Sequence, residues 1–569
     1  MAQLIRDDIA ALVAEGIRSA QVAGDLPMFD VPAIPIERPK VAAHGDYSTG
    51  ISMGLARFAK MKPLEIAQRI AAHLPATNLI GKAESVPPGY INFALADAWL
   101  AEQVETILEQ GEPWGSVDMG HGTRVQVEFV SANPTGPLTV GSARNAAIGD
   151  TLASVLQAAG YAVEREYYIN DAGSQMRIFG QTVYARYAQA INYNEPLPEG
   201  AYPGQYLIDA GRKIAAEHGE KFLNMPRDQA VAELTLIGEQ MMLDDIRDTL
   251  QQMNIHIDTW FSEHSLYTSG LFDRVLKLLR DKGLTSEKDG AVWFAAQELG
   301  EDKDAVLIRS ADIVPEPEDR PTYLASDVAY VWNKLVDRKF DKAIYVWGAD
   351  HHGDKPRVIA ATRALGLDPS KVVIILYQLV TLKRGGEVVR MSKRAGEFIT
   401  LREVIDEVGS DSIRFTLLTR SADSTMDFDL KLAKEQSSEN PVYYVQYAHA
   451  RIASILKKAK SEGFGEGLGE AGGDVSLLVT PGDLSLIRKM LELREVLAKC
   501  AADLSPHHLS HYAQDLAATF HAFYRDCRVV SSLPEDAEMT KARLKLVRAA
   551  KTILARTLHL MGMNAPESM

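Results

Sequence analysis

The chain has 569 residues, 46% hydrophobic and 24% charged, an ordinary globular composition with room for three or four domains and large cores. Two cysteines, Cys500 and Cys527, without a CxxC spacing exclude a disulfide framework and suit a reducing cytoplasm, and no run approaches 18 apolar residues, which excludes a membrane span. The net charge of −15 weighs against a nucleic-acid partner, because phosphate binding usually leaves a basic footprint, although a large enzyme can set a local basic face on an acidic body.

Residues 1–115 read as a separate α+β unit. Helical periodicity runs from Ile5 to Ala20, with acidic residues unlike those of a signal or transit peptide. A proline-rich segment follows, then a helix through Ala67, Ile70 and Leu74, and an alternating strand from Gly89 to Leu95.

Residues 116–400 read as a nucleotide-binding sheet interrupted by a mostly helical, charged insertion at about 181–300. Val125 to Val130 is a short apolar run suited to a buried strand. Ser131-Ala-Asn-Pro-Thr-Gly-Pro137 is dense in turn formers, and from about Ala143 apolar residues fall at helical spacing. Strand, tight loop and helix is the unit whose helix N-terminus suits a phosphate, and Gly136 and Gly141 would let backbone approach a ligand. Alone, this pattern is no more than a common βα unit. Tyr167 to Asn170 is a second strand, running into the polar turn Asp171 to Gln175, and Asp228 to Leu250 carries apolar residues at helical spacing.

Further on come Pro321-Thr-Tyr323-Leu-Ala-Ser-Asp327 and a strand from Ile344 leading to Gly348-Ala-Asp350-His351-His352-Gly-Asp354. Two histidines and two aspartates so close invite a zinc reading, but there is no Cys and no further clustered ligand, so no metal site is expected. Val372 to Leu376 is another buried strand. Lys383-Arg384-Gly-Gly386 then opens onto Val389-Arg390-Met391-Ser392-Lys393-Arg394-Ala-Gly396, a cationic loop flanked by glycine. After Leu401 the chain reads as all-helical, with linker helices over 401–435 and a bundle over 436–569. The bundle's helices are expected from Asn440 onward, Leu484 to Ala502, Ser505 to Val530 and Ala537 to Met561, around a Gly/Glu linker at 461–474.

The wording of these blocks resembles the class I aminoacyl-tRNA synthetases, specifically the arginyl-tRNA synthetases, over nearly the whole chain. Ala132-Asn-Pro-Thr-Gly-Pro-Leu138, followed by Val140-Gly141 and Ala143-Arg144, is similar to the family's first motif. Val389 to Gly396 is similar to its KMSKS-type loop, with Arg390 where the class has lysine. Tyr167 to Gln175 resembles a Y-x-N-D-x-G-x-Q block, and Tyr323 to Asp327 a Y-x-x-x-D block.

The resemblance implies a Rossmann-type parallel-sheet catalytic domain with a helical insertion, an α+β N-terminal domain that touches tRNA, and an all-α anticodon-binding bundle. It implies a cytoplasmic, monomeric enzyme that joins arginine to tRNA-Arg with ATP, Mg²⁺ accompanying the phosphates, through arginyl-adenylate and the 2′-hydroxyl of the terminal adenosine. Pro137, Leu138, Gly141, Gly348, Asp350, His351, Met391 and Lys393 would lie at ATP. Glu128, Asn133, Tyr323 and Asp327 would hold arginine, and Asn170, Asp171 and Gln175 would shape the pocket. The chemistry agrees, since a guanidinium has five fixed donors and a permanent charge, which call for a carboxylate and an aromatic face. Lys393, on a mobile loop, would stabilise the transition state, helped by Ser392. Tyr444, Tyr447 and Tyr524 are the aromatics expected to stack on anticodon bases, with the C-terminal Met569 alongside.

One departure stands in the first motif. Where the family has two histidines, this chain has Thr139 and Ser142, which can donate hydrogen bonds but carry no charge. A working variant with compensating cations, a slow enzyme, and a relative that binds without activating are three readings of that change. Lys383, Arg384, Arg390 and Arg394 are the candidate cations by sequence.

Overall fold

The computed structural model describes residues 4–389, 399–464 and 472–569. In the N-terminal unit, helix Ile5–Val22 places Ile9, Val13 and Ile17 three or four residues apart, and all are fully buried. Strands β1 (Tyr47–Thr49), β2 (Ile80–Val86) and β3 (Tyr90–Leu95) form an antiparallel sheet in the order β1-β3-β2. Alternation in β3 buries Ile91, Phe93 and Leu95. Helix Pro63–Ala72 stops short of Leu74, which periodicity had included.

The catalytic unit is built on β4 (Arg124–Glu128), β5 (Ala162–Ile169) and β6 (Thr259–Ser262). A small antiparallel sheet of β7 (Thr285–Lys288), β8 (Ala291–Phe294) and β9 (Ala305–Ile308) is followed by β10 (Lys342–Gly348) and β11 (Val372–Tyr377). The main sheet runs β11-β10-β4-β5-β6 with every neighbour parallel, a Rossmann-type arrangement. Strand order reverses between β4 and β10, so a crevice opens at their C-terminal ends. Thr259–Ser262 lies inside the stretch expected to be a helical insertion, yet it is the sheet's outer strand. Its four residues are too short to give a periodic signal.

Helix Val140–Ala158 begins at Val140, three residues before apolar periodicity sets in, and packs against the sheet. It is buried on almost every side, so its apolar residues show little one-sided pattern. Beyond the sheet, β12 (Val380–Arg384), β13 (Glu387–Val388) and β14 (Met426–Asp429) form a second small sheet. The stretch after Leu401 is therefore not all helical: β14 pairs parallel with β12, a long-range partner that supplies what Met-Asp-Phe-Asp lacks in length. The expected helix over 484–502 is two, Pro481–Leu491 and Leu493–Asp503, meeting at Glu492, whose carboxylate lies 3.6 Å from Arg38 of the N-terminal unit. Helices Pro441–Ser461, His507–Asp526 and Ala537–Leu560 complete the bundle.

The N-terminal unit docks on this bundle. Arg488 pairs with Asp46 at 2.7 Å, Lys545 pairs with Glu105, and Arg494 stacks 3.8 Å over the buried ring of Trp114. No described helix is long and apolar enough to cross a membrane.

Candidate active site

The loop after β4 is held in a conformation its residues disfavour. Val130 and Ser131 lie at φ 68° and 43°, the left-handed region, which costs a β-branched residue most. The Asn145 side chain overcomes that cost. Its Oδ1 accepts from Val130 N–H at 2.7 Å and its Nδ2 donates to Val346 O at 2.8 Å, tying β4 to β10 across the crevice. Gly149 lets the helix lie against the strand end, since a Cβ there would sit 2.2 Å from Phe129 Cγ. Gly136 serves a different end from ligand approach: a Cβ there would meet the Tyr206 hydroxyl at 2.9 Å, and that hydroxyl donates to Thr135 O. At Gly141 a Cβ would meet only Thr139 Oγ1, at 3.7 Å.

Three sequence blocks converge beside this loop. Asn133 Nδ2 donates to Gln175 Oε1 at 2.6 Å, and Gln175 Nε2 donates in turn to the Tyr323 hydroxyl. Tyr167 fixes the loop by donating to Ala132 O at 2.7 Å. Asp171 turns the other way, accepting from Ser262 Oγ and from His264 N–H at 2.8 Å, so it anchors the turn after β6. Asn170 is half-buried at the end of the same strand. Tyr323 is 57% exposed, its ring open to solvent.

Asp327 lies one helical turn beyond Tyr323 and has no ion-pair partner among the described residues. Burial first, then Glu128, Glu263 and Asp354, hold its carboxyl well above the usual range, with Lys334 opposing. Glu263, immediately after β6, is a buried carboxyl that likewise has no ion-pair partner among the described residues. Burial, helped by Asp171, pushes it up to about 7, against a hydrogen bond from Ser326 Oγ of 2.5 Å. Sequence reasoning missed Glu263 because its strand was assigned to the insertion. An acidic residue directly behind Trp260-Phe261-Ser262 was the available signal. Glu128, by contrast, has an internal partner: Lys334 Nζ donates to Oε2 at 2.6 Å and Ser131 Oγ to Oε1 at 3.1 Å.

Of the residues expected at ATP, the described ones lie at the start of helix Val140–Ala158 and at the end of β10. Thr139 occupies the N-cap position of helix Val140–Ala158 with its side chain making no cap bond, and Ser142 N–H donates to Thr139 O at 2.9 Å. Both side chains are half-buried, as is Pro137, while Leu138 is buried. Leu138 O accepts from Leu401 N–H at 2.7 Å and Thr139 bridges Thr400, so the first motif adjoins the chain just past residue 398. Met391, Ser392 and Lys393, with Arg390 and Arg394, lie outside the described residues. Lys383 and Arg384 are already engaged, with Asp427 at 2.7 Å and Glu407 at 2.5 Å. Arg144 is a strut. Fully buried, it donates to Gln378 O and Ser421 O at 2.6 and 2.9 Å.

At the end of β10, Gly348 lies so near Asp350 that a Cβ would sit 2.3 Å from Oδ1. His351 is half exposed, 3.3 Å from Asp354. No group of three or more His, Cys, Asp or Glu among the described residues is placed to hold a metal ion.

The expected RNA-stacking tyrosines also meet. Arg451 stacks over Tyr447 and Tyr524 at 5.5 and 4.7 Å, and His521 touches the rings of Tyr444 and Tyr447. Tyr443, which sequence reasoning passed over, stacks on Tyr447 at 6.1 Å. Met569 is 55% exposed at the end of the chain.

Three families match in order along the chain: "Arginyl tRNA synthetase N terminal domain" over residues 2–95, "tRNA synthetases class I (R), catalytic domain" over 103–452 and "DALR anticodon binding domain" over 445–569. The chain is similar to the arginine–tRNA ligase of Dehalococcoides mccartyi, 47% identical over 99% of both chains. It is similar to that of Heliobacterium modesticaldum at 45%, over 100% of this chain and 99% of the other. Among solved structures, a putative arginyl-tRNA synthetase from Campylobacter jejuni superposes with a TM-score of 0.74 at 32% identity, over 84% of this chain and 100% of that one. The Thermus thermophilus arginyl-tRNA synthetase, at 23% identity and a TM-score of 0.74, covers 99% of this chain and 100% of its own and shares the fold.

Proposed function

We infer that this chain, which belongs to the class I arginyl-tRNA synthetase family, is an arginine–tRNA ligase that uses ATP. The observation that carries the substrate choice is a pair of carboxyls with no ion-pair partner among the described residues, half-buried Asp327, one helical turn from Tyr323, and buried Glu263. A guanidinium supplies a permanent charge and forked donors to such a pair. Glu128 and Asn133, at the loop end of the same pocket, would take the α-ammonium and carboxylate groups. That places the arginine carboxylate toward the nucleotide side of the crevice.

The reaction asks little covalent chemistry of the protein. The arginine carboxylate attacks the α-phosphorus of ATP, pyrophosphate leaves, and the 2′-hydroxyl of the terminal tRNA adenosine then attacks the adenylate carbonyl. Binding both reactants in one crevice supplies orientation, and donors at the phosphates stabilise the charge that develops. Mg²⁺ enters with the ATP phosphates as part of that substrate. The free N–H groups of helix Val140–Ala158 with the Thr139 and Ser142 hydroxyls would face the phosphates, Lys393 and Ser392 would close over them, and Gly348, Asp350 and His351 would border the adenosine. Thr139 and Ser142 stand where the family has histidines, so the charge those histidines carry must come from elsewhere. Lys383 and Arg384 are committed to carboxylates, which turns attention to Arg390, Lys393 and Arg394. Tyr444, Tyr447 and Tyr524 would stack on anticodon bases, with Met569 at the bundle's edge. The active unit is proposed to be a cytoplasmic monomer.

The test is aminoacylation of tRNA-Arg with labelled arginine, by this chain and by the Thr139→His/Ser142→His double variant. Charging at an ordinary rate by the unaltered chain establishes the hydroxyl motif as a working variant. An inert chain restored by the two histidines favours a tRNA-binding relative whose catalysis is lost. Citrulline, uncharged but nearly isosteric, should be charged about 10⁴-fold less efficiently, because it leaves both carboxylates unpaired. Charging of citrulline near the arginine rate would remove Asp327 and Glu263 from the guanidinium site.

A further inference from the structure

Lysine is almost never fully buried unless it is paired. Lys334 is 0% exposed. It follows helix Tyr323–Trp332 in a short π-helical turn, Asn333–Asp337, beneath the pocket. Its ammonium donates to Glu128 Oε2 at 2.6 Å and sits 3.5 and 3.9 Å from the ring centroids of Tyr345 and Tyr330. Those two rings come from different elements, β10 and the preceding helix, so the ammonium is boxed from both. Glu166, on the neighbouring strand, is engaged separately by the Tyr330 hydroxyl and by Arg338.

The groups facing Lys334 are therefore Glu128 from β4, Glu166 from β5, Tyr330 and Asp327 from the helix, Tyr345 from β10 and Arg338 beyond the turn. Burial lowers the pKa of Lys334, and Glu128 and Glu166 oppose that shift. With Lys334 on one oxygen and Ser131 on the other, an ionised carboxylate still has lone pairs free, since it offers about four acceptor positions.

We propose that Lys334 is a positioning residue for arginine activation: it holds the Glu128 carboxylate fixed at the end of β4 so that this group takes the α-ammonium group while Asp327 and Glu263 take the guanidinium. The proposal rests on the reading that Glu128 contacts the α-ammonium group. It makes arginine recognition a two-ended measurement, with one end set by carboxylates that lack a cation and the other by a carboxylate that already has one.

The experiment compares the arginine KM with the inhibition constant of 5-guanidinopentanoate, which is arginine without its amino group, for the unaltered enzyme and for Glu128→Gln, Lys334→Met and the double variant. The unaltered enzyme should prefer arginine by at least about tenfold, the worth of one charge-assisted hydrogen bond. Glu128→Gln and Lys334→Met should each erase most of that preference, with little change in the inhibition constant of the analogue. If the single lysine variant does not fold, the double variant, which leaves no lone buried charge, should show the same preference as Glu128→Gln alone.

A further loss in the double variant would mean that Lys334 acts on substrate by another route and would overturn the proposal. A lower melting temperature in Lys334→Met with the preference unmoved would also overturn it, leaving a purely structural pair. Full preference retained in Glu128→Gln would instead remove the reading of Glu128 itself, and the proposal with it.

Discussion

Arg414 and Asp327 are both ionisable groups sunk among several elements, and they are treated in opposite ways. Arg414, on helix Ser410–Leu417, is fully buried and answered on every side. It donates to Asp150 at 2.5 Å, to Met561 O at 2.6 Å and to Met253 O at 2.8 Å. These partners belong to the first-motif helix, the end of the bundle's last helix and the chain leading into β6. Gly562 is required there, because a Cβ would sit 2.2 Å from the guanidinium. Asp327 has no such partner among the described residues, and three carboxylates, Glu128, Glu263 and Asp354, act on it more strongly than the one cation, Lys334. Completed charge networks hold units of this molecule together, and the incomplete one marks where a cationic substrate is expected. Arg414 is fully buried and Asp327 half-buried, but the larger difference is the counterion that one has and the other lacks among the described residues.

The contrast can be broken from either side. The largest effect is expected at the hub. Arg414→Met leaves Asp150 with only Arg165 as a cation and strands two carbonyls, which should lower unfolding stability by about 3–5 kcal/mol, read from the urea midpoint. The fraction that folds should keep its arginine KM. An unchanged midpoint would show that the hub is not holding the units together.

Asp327→Asn should do the reverse. Loss of one partner of a buried charged pair costs about 2–5 kcal/mol in kcat/KM for arginine. Stability of the substrate-free protein should hold or rise, because the variant removes a carboxylate that burial and its neighbours disfavour. A fall in stability as large as that at Arg414 would erase the distinction between the two regions.

A smaller effect belongs to the packing between them. Gly149 brings the first-motif helix against Phe129, and Gly149→Ala must push one away from the other. That overpacking should cost about 1–3 kcal/mol of stability and raise the arginine and ATP KM values together, since the helix carries one side of the crevice. A variant with altered stability but both KM values intact would separate the helix's packing from its role in the site.

How legible this was in the sequence follows the same division. The strand, loop and helix around Asn133 could be read because a buried strand and a glycine-containing turn leave local marks. The pocket block at Tyr323 and Asp327 could be read because its wording is particular. β6 could not, since four residues ending in Ser262 carry no period, and Glu263 was lost with it. β14 failed for the same reason: Met426 to Asp429 is a strand only because β12 is there to pair with. Lys334 and Arg414 were invisible because the carboxylates that answer them, Glu128 and Asp150, lie over a hundred residues away in sequence, and nothing local distinguishes a buried cation from a solvated one. Thr139 and Ser142 were legible as a departure, but not as a remedy: of the four candidate cations Lys383 and Arg384 are paired with carboxylates, and Arg390 and Arg394 lie outside the described residues.

The smallest effect sharpens the comparison most, because it reads the missing counterion through a proton. Glu263 is held up to about 7, against an ordinary 4.5, by burial and by Asp171, with Ser326 opposing. A raised carboxyl favours the folded substrate-free protein while protonated. Its contribution is present below about pH 4.5 and is lost as pH rises to about 7. Arginine reverses the preference, since its guanidinium needs the ionised form and is always charged itself. Arginine affinity should therefore rise with pH up to about 7 by as much as tenfold per unit for one displaced proton, then level off. Saturating arginine should remove the loss of melting temperature across the same window. Glu263→Gln should make both dependences shallower, leaving the part carried by Asp327, at a weaker affinity. A flat profile between pH 6 and 8 in the unaltered enzyme, or an unchanged slope in the variant, would mean that Glu263 already has a counterion, and the pocket would then resemble the hub.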